Sequence, residues 1–226
     1  MDSEGRDGES IIELRDRVDP MLQVALGRSF ELGFLGSMPI DEQIDHALGF
    51  VAILEKRCEG VPASVIDLGT GGGVPGLVLI SCWPDSRVVL MDASARRTGF
   101  LQEVVEGWPL AVNAEVVRGR AEELGHQGGL REQFDAVTSR SFGIPALTVE
   151  CGSSFLAPNG WMVIAEPPDI APEDRWPSAG LETVGLVAVE TIRLADRFGY
   201  QVLHKTAMID GRFPRRVGIP AKRPLF

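Results

Sequence analysis

Apolar positions along the chain change their period near residue 60. Before that point they recur at helical spacing, as in Ile44, Leu48, Val51 and Leu54. Helices are predicted over Ile11 to Arg17, Met21 to Leu32 and Asp41 to Cys58. Pro20 suits a first turn, Gly33 a C-terminal stop, and Gly60 with Pro62 ends the third helix. Beyond Ser64, short β-rich runs alternate with helix-length segments. Strands are predicted at Ser64 to Leu68, Arg87 to Asp92, Ala114 to Arg118, Phe134 to Ser139 and Trp161 to Glu166, the last following a turn at Pro158-Asn-Gly160. Helices are expected at Val74 to Cys82, Ala95 to Glu106, Ala121 to Leu124 and Pro145 to Leu156. Two final strands, Thr183 to Leu194 and Gln201 to Met208, flank Asp196-Arg-Phe-Gly199 and should pair antiparallel. This order implies an α/β fold, Rossmann-like, with a mostly parallel seven-stranded sheet, helices on both faces and a helical N-terminal extension. The expected organisation is a disordered tail over 1–9, the extension over 10–60, and one globular unit over 61–226 with a basic tail from 210.

Composition adds bounds rather than chemistry. The chain has 226 residues, 44% apolar and 24% charged, an ordinary globular balance. The opening residues lack the basic start and apolar stretch of a signal peptide. The longest apolar run, Ala47 to Leu54, falls far short of the roughly 20 residues that span a bilayer. A cytoplasmic protein with no membrane partner is expected. Cys58, Cys82 and Cys151 are scattered and no Cys/His cluster has ligand spacing, so free thiols and no metal are expected.

Charge is unevenly distributed. The net charge is −10, yet Arg193 to Phe226 carries eight basic and two acidic residues, against 14 and 30 in the remaining 192. A basic tail on an acidic body can attract phosphate locally, or can fold back onto the body.

The strongest chemical signal is the turn Asp67-Leu-Gly-Thr-Gly-Gly-Gly-Val-Pro-Gly76. Ligands of doubly wound sheets bind beyond the carboxyl ends of the strands, and the backbone must approach them closely there. Gly71, Gly73 and Gly76 match the spacing of a dinucleotide site, but the strand has already ended and Val74-Pro75 stands where the helix should open. S-adenosylmethionine carries an ammonium and a sulfonium and no pyrophosphate. Asp67 near the end of the first strand suits that cation, and Asp92 at the end of the second suits a ribose diol. Asp67 can also serve as a cap within the turn.

These residues resemble a known family, the small-subunit ribosomal RNA guanine-N7 methyltransferases (RsmG/GidB type). The likeness is strongest over Ile44 to Arg140. It is carried by Asp67 to Gly76 with its Pro-Gly pair, by Arg96-Arg97-Thr-Gly-Phe100-Leu101, by Arg118-Gly-Arg120-Ala121-Glu122-Glu123 and by Ser139-Arg140-Ser141-Phe142. The ending Arg212-Phe-Pro-Arg215-Arg216-Val-Gly218-Ile-Pro220 is similar to a tail found in many members. The resemblance implies a class I S-adenosylmethionine-dependent methyltransferase acting on 16S rRNA in the 30S subunit. It implies cofactor contacts from Asp67, Gly69, Gly71, Gly73, Val74, Asp92, Ala121 and Glu122, with Arg140 positioned beside the methyl donor or the target. Arg212, Arg215, Arg216, Lys222 and Arg223 would face RNA phosphates. Guanine N7 attacks without losing a proton, so alignment matters more than a general base, and no base stands out among His46, His126 and His204.

The chain departs from the family in an unusually acidic body, in Phe34-Leu-Gly-Ser-Met-Pro39, which stands where the lead-in usually carries an Asn-Leu-Thr segment, and at two further places. His46-Ala-Leu-Gly49-Phe replaces a His-x-x-Asp-Ser pattern, and Ala165-Glu166-Pro-Pro-Asp169 replaces Leu-Lys-Gly, turning a cation into an anion. A methyltransferase of the same fold with a different substrate is the other reading open at this level.

Overall fold

A computed structural model describes residues 11–167, 175–194 and 197–226. The expected tail at 1–9 lies outside the described residues, as do Pro168, Asp169 and Asp196. The lead-in forms α1 (Ile11–Arg15), α2 (Pro20–Glu31) and α3 (Ile40–Arg57). Asp19 caps α2 by accepting from Met21 N at 2.7 Å, and Pro20 occupies the first turn as expected. The alternating part follows as β1 (Ser64–Leu68), α4 (Gly76–Cys82), β2 (Arg87–Asp92), α5 (Ala95–Glu106), β3 (Ala114–Arg118), α6 (Ala121–Leu124) and β4 (Phe134–Ser139). It continues with α7 (Pro145–Gly152), β5 (Leu156–Glu166), α8 (Ser178–Glu182), β6 (Leu186–Leu194), β7 (Phe198–Lys205) and α9 (Ile219–Lys222).

The strands make one seven-stranded sheet in the order β3-β2-β1-β4-β5-β7-β6. The first five pair parallel, and β7 runs antiparallel to both its neighbours. Each face carries one apolar cluster. On one side Leu26, Leu48, Phe50, Leu77 and Leu101 bring α2, α3, α4 and α5 together, so the lead-in shares a core with the sheet. On the other side Leu124, Val149, Phe155, Leu181 and Phe213 join α6, α7, α8 and the C-terminal segment. No helix among the described residues is long and apolar enough to cross a membrane.

Several expected bounds shift, and α7 ends at Gly152 rather than at Leu156, which belongs to the next strand. Strand β5 starts at Leu156, because Pro158-Asn159-Gly160 is absorbed as a bulge in which Asn159 takes φ 62° and the register against β4 slips. Helix α4 opens at Gly76 rather than Val74, since Val74 and Pro75 belong to the turn. Strand β6 begins at Leu186 and β7 covers Phe198–Lys205, ending before Met208. The short helices α8 and α9 have no counterpart among the predicted elements.

Candidate functional site

The carboxyl ends of β1, β2, β3 and β4 face the same edge of the sheet, and a cavity of about 360 Å³ opens there. Gly69 borders it from the β1 turn, Asp92 from the end of β2, Ala121 and Glu122 from α6, and Ser141 and Phe142 from the loop after β4. The glycine turn owes its shape to positive φ at Gly69 (70°), Gly71 (59°) and Gly73 (101°). Asp92 holds the turn from the neighbouring strand, accepting from Gly71 N at 3.0 Å and from Ser94 N at 2.7 Å.

Asp67 works from behind the turn. It is fully buried, accepting from Gly76 N at 2.9 Å and from Thr138 Oγ1 at 2.9 Å. Burial raises its carboxyl to about 6, against those hydrogen bonds and the nearby Arg140 charge. The first amide of α4 is therefore already taken by a carboxylate, where a dinucleotide site would present it to pyrophosphate. A second negative group there would meet Asp67 at close range. The cavity fits S-adenosylmethionine instead. It offers Asp92 and Glu122 to a cationic, diol-bearing ligand and Ala121, Leu147 and Val217 to a flat apolar ring.

A profile described as "GidB: rRNA small subunit methyltransferase G" matches residues 40–167. The chain belongs to this family. It is 32% identical to the ribosomal RNA small subunit methyltransferase G of Desulforamulus reducens, over 79% of this chain and 75% of that one. The protein of the same name from Leuconostoc mesenteroides is 30% identical over 77% and 74% of the two chains. The one from Thermotoga maritima is 29% identical over 93% and 87%. Solved structures share the fold at lower identity. A methyltransferase from Geobacter sulfurreducens superposes with a TM-score of 0.58 at 14% identity, covering 84% of this chain and 90% of its own. A SAM dependent methyltransferase from Aquifex aeolicus gives 0.53 at 13%, covering 88% and 100%. The fold is that of the class I S-adenosylmethionine-dependent methyltransferases, and S-adenosylmethionine is the cofactor.

The residues expected at the cofactor divide into two layers. Gly69, Asp92, Ala121 and Glu122 line the cavity. Asp67, Gly71 and Gly73 shape the turn from within. Val74, expected to border the cofactor, is not among the residues lining the cavity, and its side chain, 5% exposed, packs in the apolar cluster under the turn.

Arg140 lines a second cavity of about 370 Å³, with His46, Ser139, Glu166 and Trp176. Ser141 and Phe142 border both cavities and so form the partition between them. Phe142 lies over Gly69, where an added Cβ would come within 2.5 Å of its ring. Arg140 is held by Nη2 donating to Gln43 Oε1 at 3.1 Å. His46 stacks on Phe198 at 4.8 Å between ring centroids, and burial pushes its imidazole down to about 3, with Arg140 adding to the effect. A neutral, deeply buried histidine of this kind is no general base near neutral pH. Gly49, where the family pattern has Asp, makes room for Tyr200, whose hydroxyl donates to His46 O at 2.7 Å.

Sequence reading missed Gln43, Arg175, Trp176 and the partition. Gln43 and His46 were open to detection, since they are polar positions one turn apart on the otherwise apolar face of α3, and both are buried. Arg175 and Trp176 follow a segment without periodicity and carry no such signal.

The C-terminal cations also divide. Arg212, Arg216, Lys222 and Arg223 are exposed. Arg215, expected on phosphate, is corrected to an internal partner. Its Nη2 and Nε donate to Glu150 at 2.6 and 2.9 Å, its backbone N donates to the same carboxylate at 2.8 Å, and the Glu150 side chain is 0% exposed. Gly218 N donates to Glu122 Oε1 at 3.1 Å. These two latches bring Val217, Gly218 and Ala221 onto the cofactor cavity as one of its walls.

Proposed function

We propose that the chain methylates N7 of a guanine in 16S ribosomal RNA, acting on the 30S subunit in the cytoplasm. The observation that carries this reading is the pair of cavities meeting at Ser141–Phe142, one fitted to S-adenosylmethionine and one lined by Arg140. Family membership supports the ribosomal substrate, since the relatives are named for methylating small-subunit rRNA.

The cofactor supplies an electrophilic methyl group on a positively charged sulfur. The chain supplies alignment. Gly69 brings backbone to the ligand, Asp92 and Glu122 present carboxylates to it, and α6 and α9 enclose it. Guanine N7 carries an in-plane lone pair, so no side chain has to remove a proton first. This agrees with a site whose histidine is neutral and whose Asp67 is occupied within the turn. Proximity of this kind can be worth roughly 7–11 kcal/mol at best. Arg140, fixed by Gln43, is a positioning residue at the partition.

The exposed cations Arg212, Arg216, Lys222 and Arg223 sit on the segment that walls the cofactor cavity and would hold RNA phosphates at its rim. The test is methyl transfer from labelled S-adenosylmethionine to 30S subunits from a strain lacking the gene. The expected result is one methyl group per 16S rRNA, at a guanine that becomes sensitive to the strand scission typical of 7-methylguanine. Cofactor binding without transfer to 30S would overturn the substrate assignment.

A further inference from the structure

Among the described residues, eight buried side-chain nitrogen or oxygen atoms find no hydrogen-bond partner, and five of them belong to residues that line the second cavity. They are Nδ1 and Nε2 of His46, Oγ of Ser139, Nη1 of Arg140 and Nε1 of Trp176. Buried polar groups are nearly always paired in folded proteins. A cluster of unpaired ones on one wall therefore points to a polar ligand that completes them. The cavity volume, about 370 Å³, lies within the roughly 300–1,000 Å³ usual for small-ligand pockets.

The chemistry of the wall is specific. Arg140 and Trp176 are free donors. Neutral His46 adds one donor and one acceptor. Opposite in charge stands Glu166, whose side chain is 6% exposed. Arg175 Nε donates to its Oε2 at 2.8 Å, while Nη2 reaches Oε1 only at 3.4 Å. Oε1 is thus loosely held and each oxygen keeps a further lone pair. Among purines, guanine complements this arrangement. Its N1–H and N2 amino group donate side by side, and O6 next to them accepts. Adenine would turn an unprotonated N1 towards the carboxylate.

Building on the methyl-transfer reading above, we propose that this cavity receives the unstacked target guanine, with Glu166 accepting from N1–H and the N2 amino group and Arg140 donating to O6. N7 lies beside O6 on the ring, so this orientation turns it towards the Ser141–Phe142 partition and the cofactor cavity. In the transfer the N7–CH₃ bond forms as the S–CH₃ bond breaks, its electron pair staying on sulfur, and no proton moves. The product ring is cationic, which strengthens the N1–H bond to a carboxylate. Glu166 thereby holds the transition state more tightly than the ground state. Taking a base out of its stack is the usual solution for enzymes that modify it.

The experiment uses full-length protein, S-adenosylmethionine and 16S rRNA. The methylated guanine is first mapped by mass spectrometry of nuclease digests. It is then replaced by inosine, which keeps N1–H, O6 and N7 and lacks only the N2 amino group. Loss of one hydrogen bond to a carboxylate should lower kcat/KM of the wild type by about 10- to 150-fold. For Glu166→Gln and Glu166→Ala, guanine and inosine should react within about threefold of each other, with calorimetric affinity for S-adenosylmethionine unchanged. Arg175→Met, which leaves the carboxylate in place, should keep the discrimination, and its loss there would overturn the pocket; if the Glu166 variants do not fold, the wild-type comparison of guanine with inosine decides the matter. Equal wild-type rates on the two bases, or undiminished discrimination in a folded Glu166 variant, would overturn the pocket while leaving the guanine-N7 function standing. Cofactor binding with no guanine methylated anywhere would remove the function and the pocket together.

Discussion

Arg215→Met tests whether the C-terminal segment belongs to the cofactor site. The substitution keeps an unbranched apolar stem and removes the guanidinium, leaving Glu150 buried at 0% exposure with one remaining donor, the backbone N of residue 215. Breaking a buried pair costs roughly 3–5 kcal/mol. The Arg215 side chain is itself 26% exposed, so part of that cost is relieved by water and about 2–3 kcal/mol is expected. Urea denaturation should show this as a lower midpoint at unchanged slope. The second consequence is at the cofactor. Val217, Gly218 and Ala221 wall the cavity, and the hydrogen bond from Gly218 to Glu122 is a second latch on this stretch, while His126 and Arg131 hold Pro214 O and Phe213 O just before it. Loosening it withdraws a surface about the size of one apolar side chain, worth about 1–2 kcal/mol, or a 5- to 30-fold weaker Kd for S-adenosylmethionine by calorimetry. Arg216→Ala, one residue along and exposed, should change neither quantity. A destabilised Arg215→Met protein that binds the cofactor within twofold of wild type would refute the idea that the ligand is held by this wall.

Three further outcomes follow from the same geometry. Replacing Arg212, Arg216, Lys222 and Arg223 together by Ala should flatten the dependence of RNA binding on salt, by about 0.7–0.9 in log–log slope for each phosphate left without its cation; an unchanged slope would remove these cations from the RNA surface. Gly71→Ala places a Cβ at ordinary contact distance, 3.8 Å from Gly69 O, at φ 59° and should cost about 1–2 kcal/mol in thermal or urea unfolding. Gly76→Ala should cost more and weaken cofactor binding, because its Cβ would lie 2.2 Å from Leu90 and 2.8 Å from Asp67 Oδ2; equal effects of the two changes would contradict the packing described. Asp67 titrates at about 6 in the fold against 3.8 otherwise, so its contribution to stability is fullest below pH 3.8 and is lost as pH rises through 6. His46 is the reverse, at about 3 against 6.5: its contribution is present above 6.5 and is lost as pH falls towards 3. The two slopes, each about 1.4 kcal/mol per pH unit, oppose one another between pH 4 and 6. His46→Gln should uncover the Asp67 slope, making the variant gain stability relative to wild type as pH falls from 6 to 4, and parallel stability curves would refute the assignment.

The strands β1, β2, β3 and β4 and the helix α5 were legible to the residue because local signals agreed there: β-rich runs stopped at Gly, Asp or Ser, and Ser94 caps α5. Legibility failed where tertiary context overrode a local signal. Pro158-Asn-Gly160 has the composition of a turn, yet the neighbouring β4 draws it into β5 as a bulge. At the site, the motif residues Gly69, Asp92, Ala121 and Glu122 could be read because each sits at the end of its own strand or at the start of the helix that follows. Contacts between distant segments could not. Gln43 meets Arg140 across 97 residues of sequence and Glu150 meets Arg215 across 65, with no pattern linking either pair. Asp67 points to the right ligand by a different route. Its sequence position suggests that it faces the cofactor's positive charge, whereas it sits behind the turn and occupies the amide that a pyrophosphate would need.

The basic tail, ambiguous as a stretch of charge, acquires a definite logic from its two latches. Arg215 turns inward to Glu150 while Arg216 beside it stays in solvent, and Gly218 is tied to Glu122 while Lys222 and Arg223 beyond it remain exposed. One short stretch thus presents cations outward and walls the cofactor cavity inward. Under the proposed function, a phosphate held on the outer side would order the same backbone that walls the cofactor cavity on the inner side. Linkage then runs both ways: whatever factor RNA contributes to cofactor affinity through this segment, the cofactor contributes to RNA affinity. The acidic body is compatible with this arrangement, because Glu150 and Glu122 hold the tail in place together with His126 and Arg131. Part of the negative charge that, taken as a sum, argues against an RNA partner is what turns the exposed cations outward from the cofactor cavity.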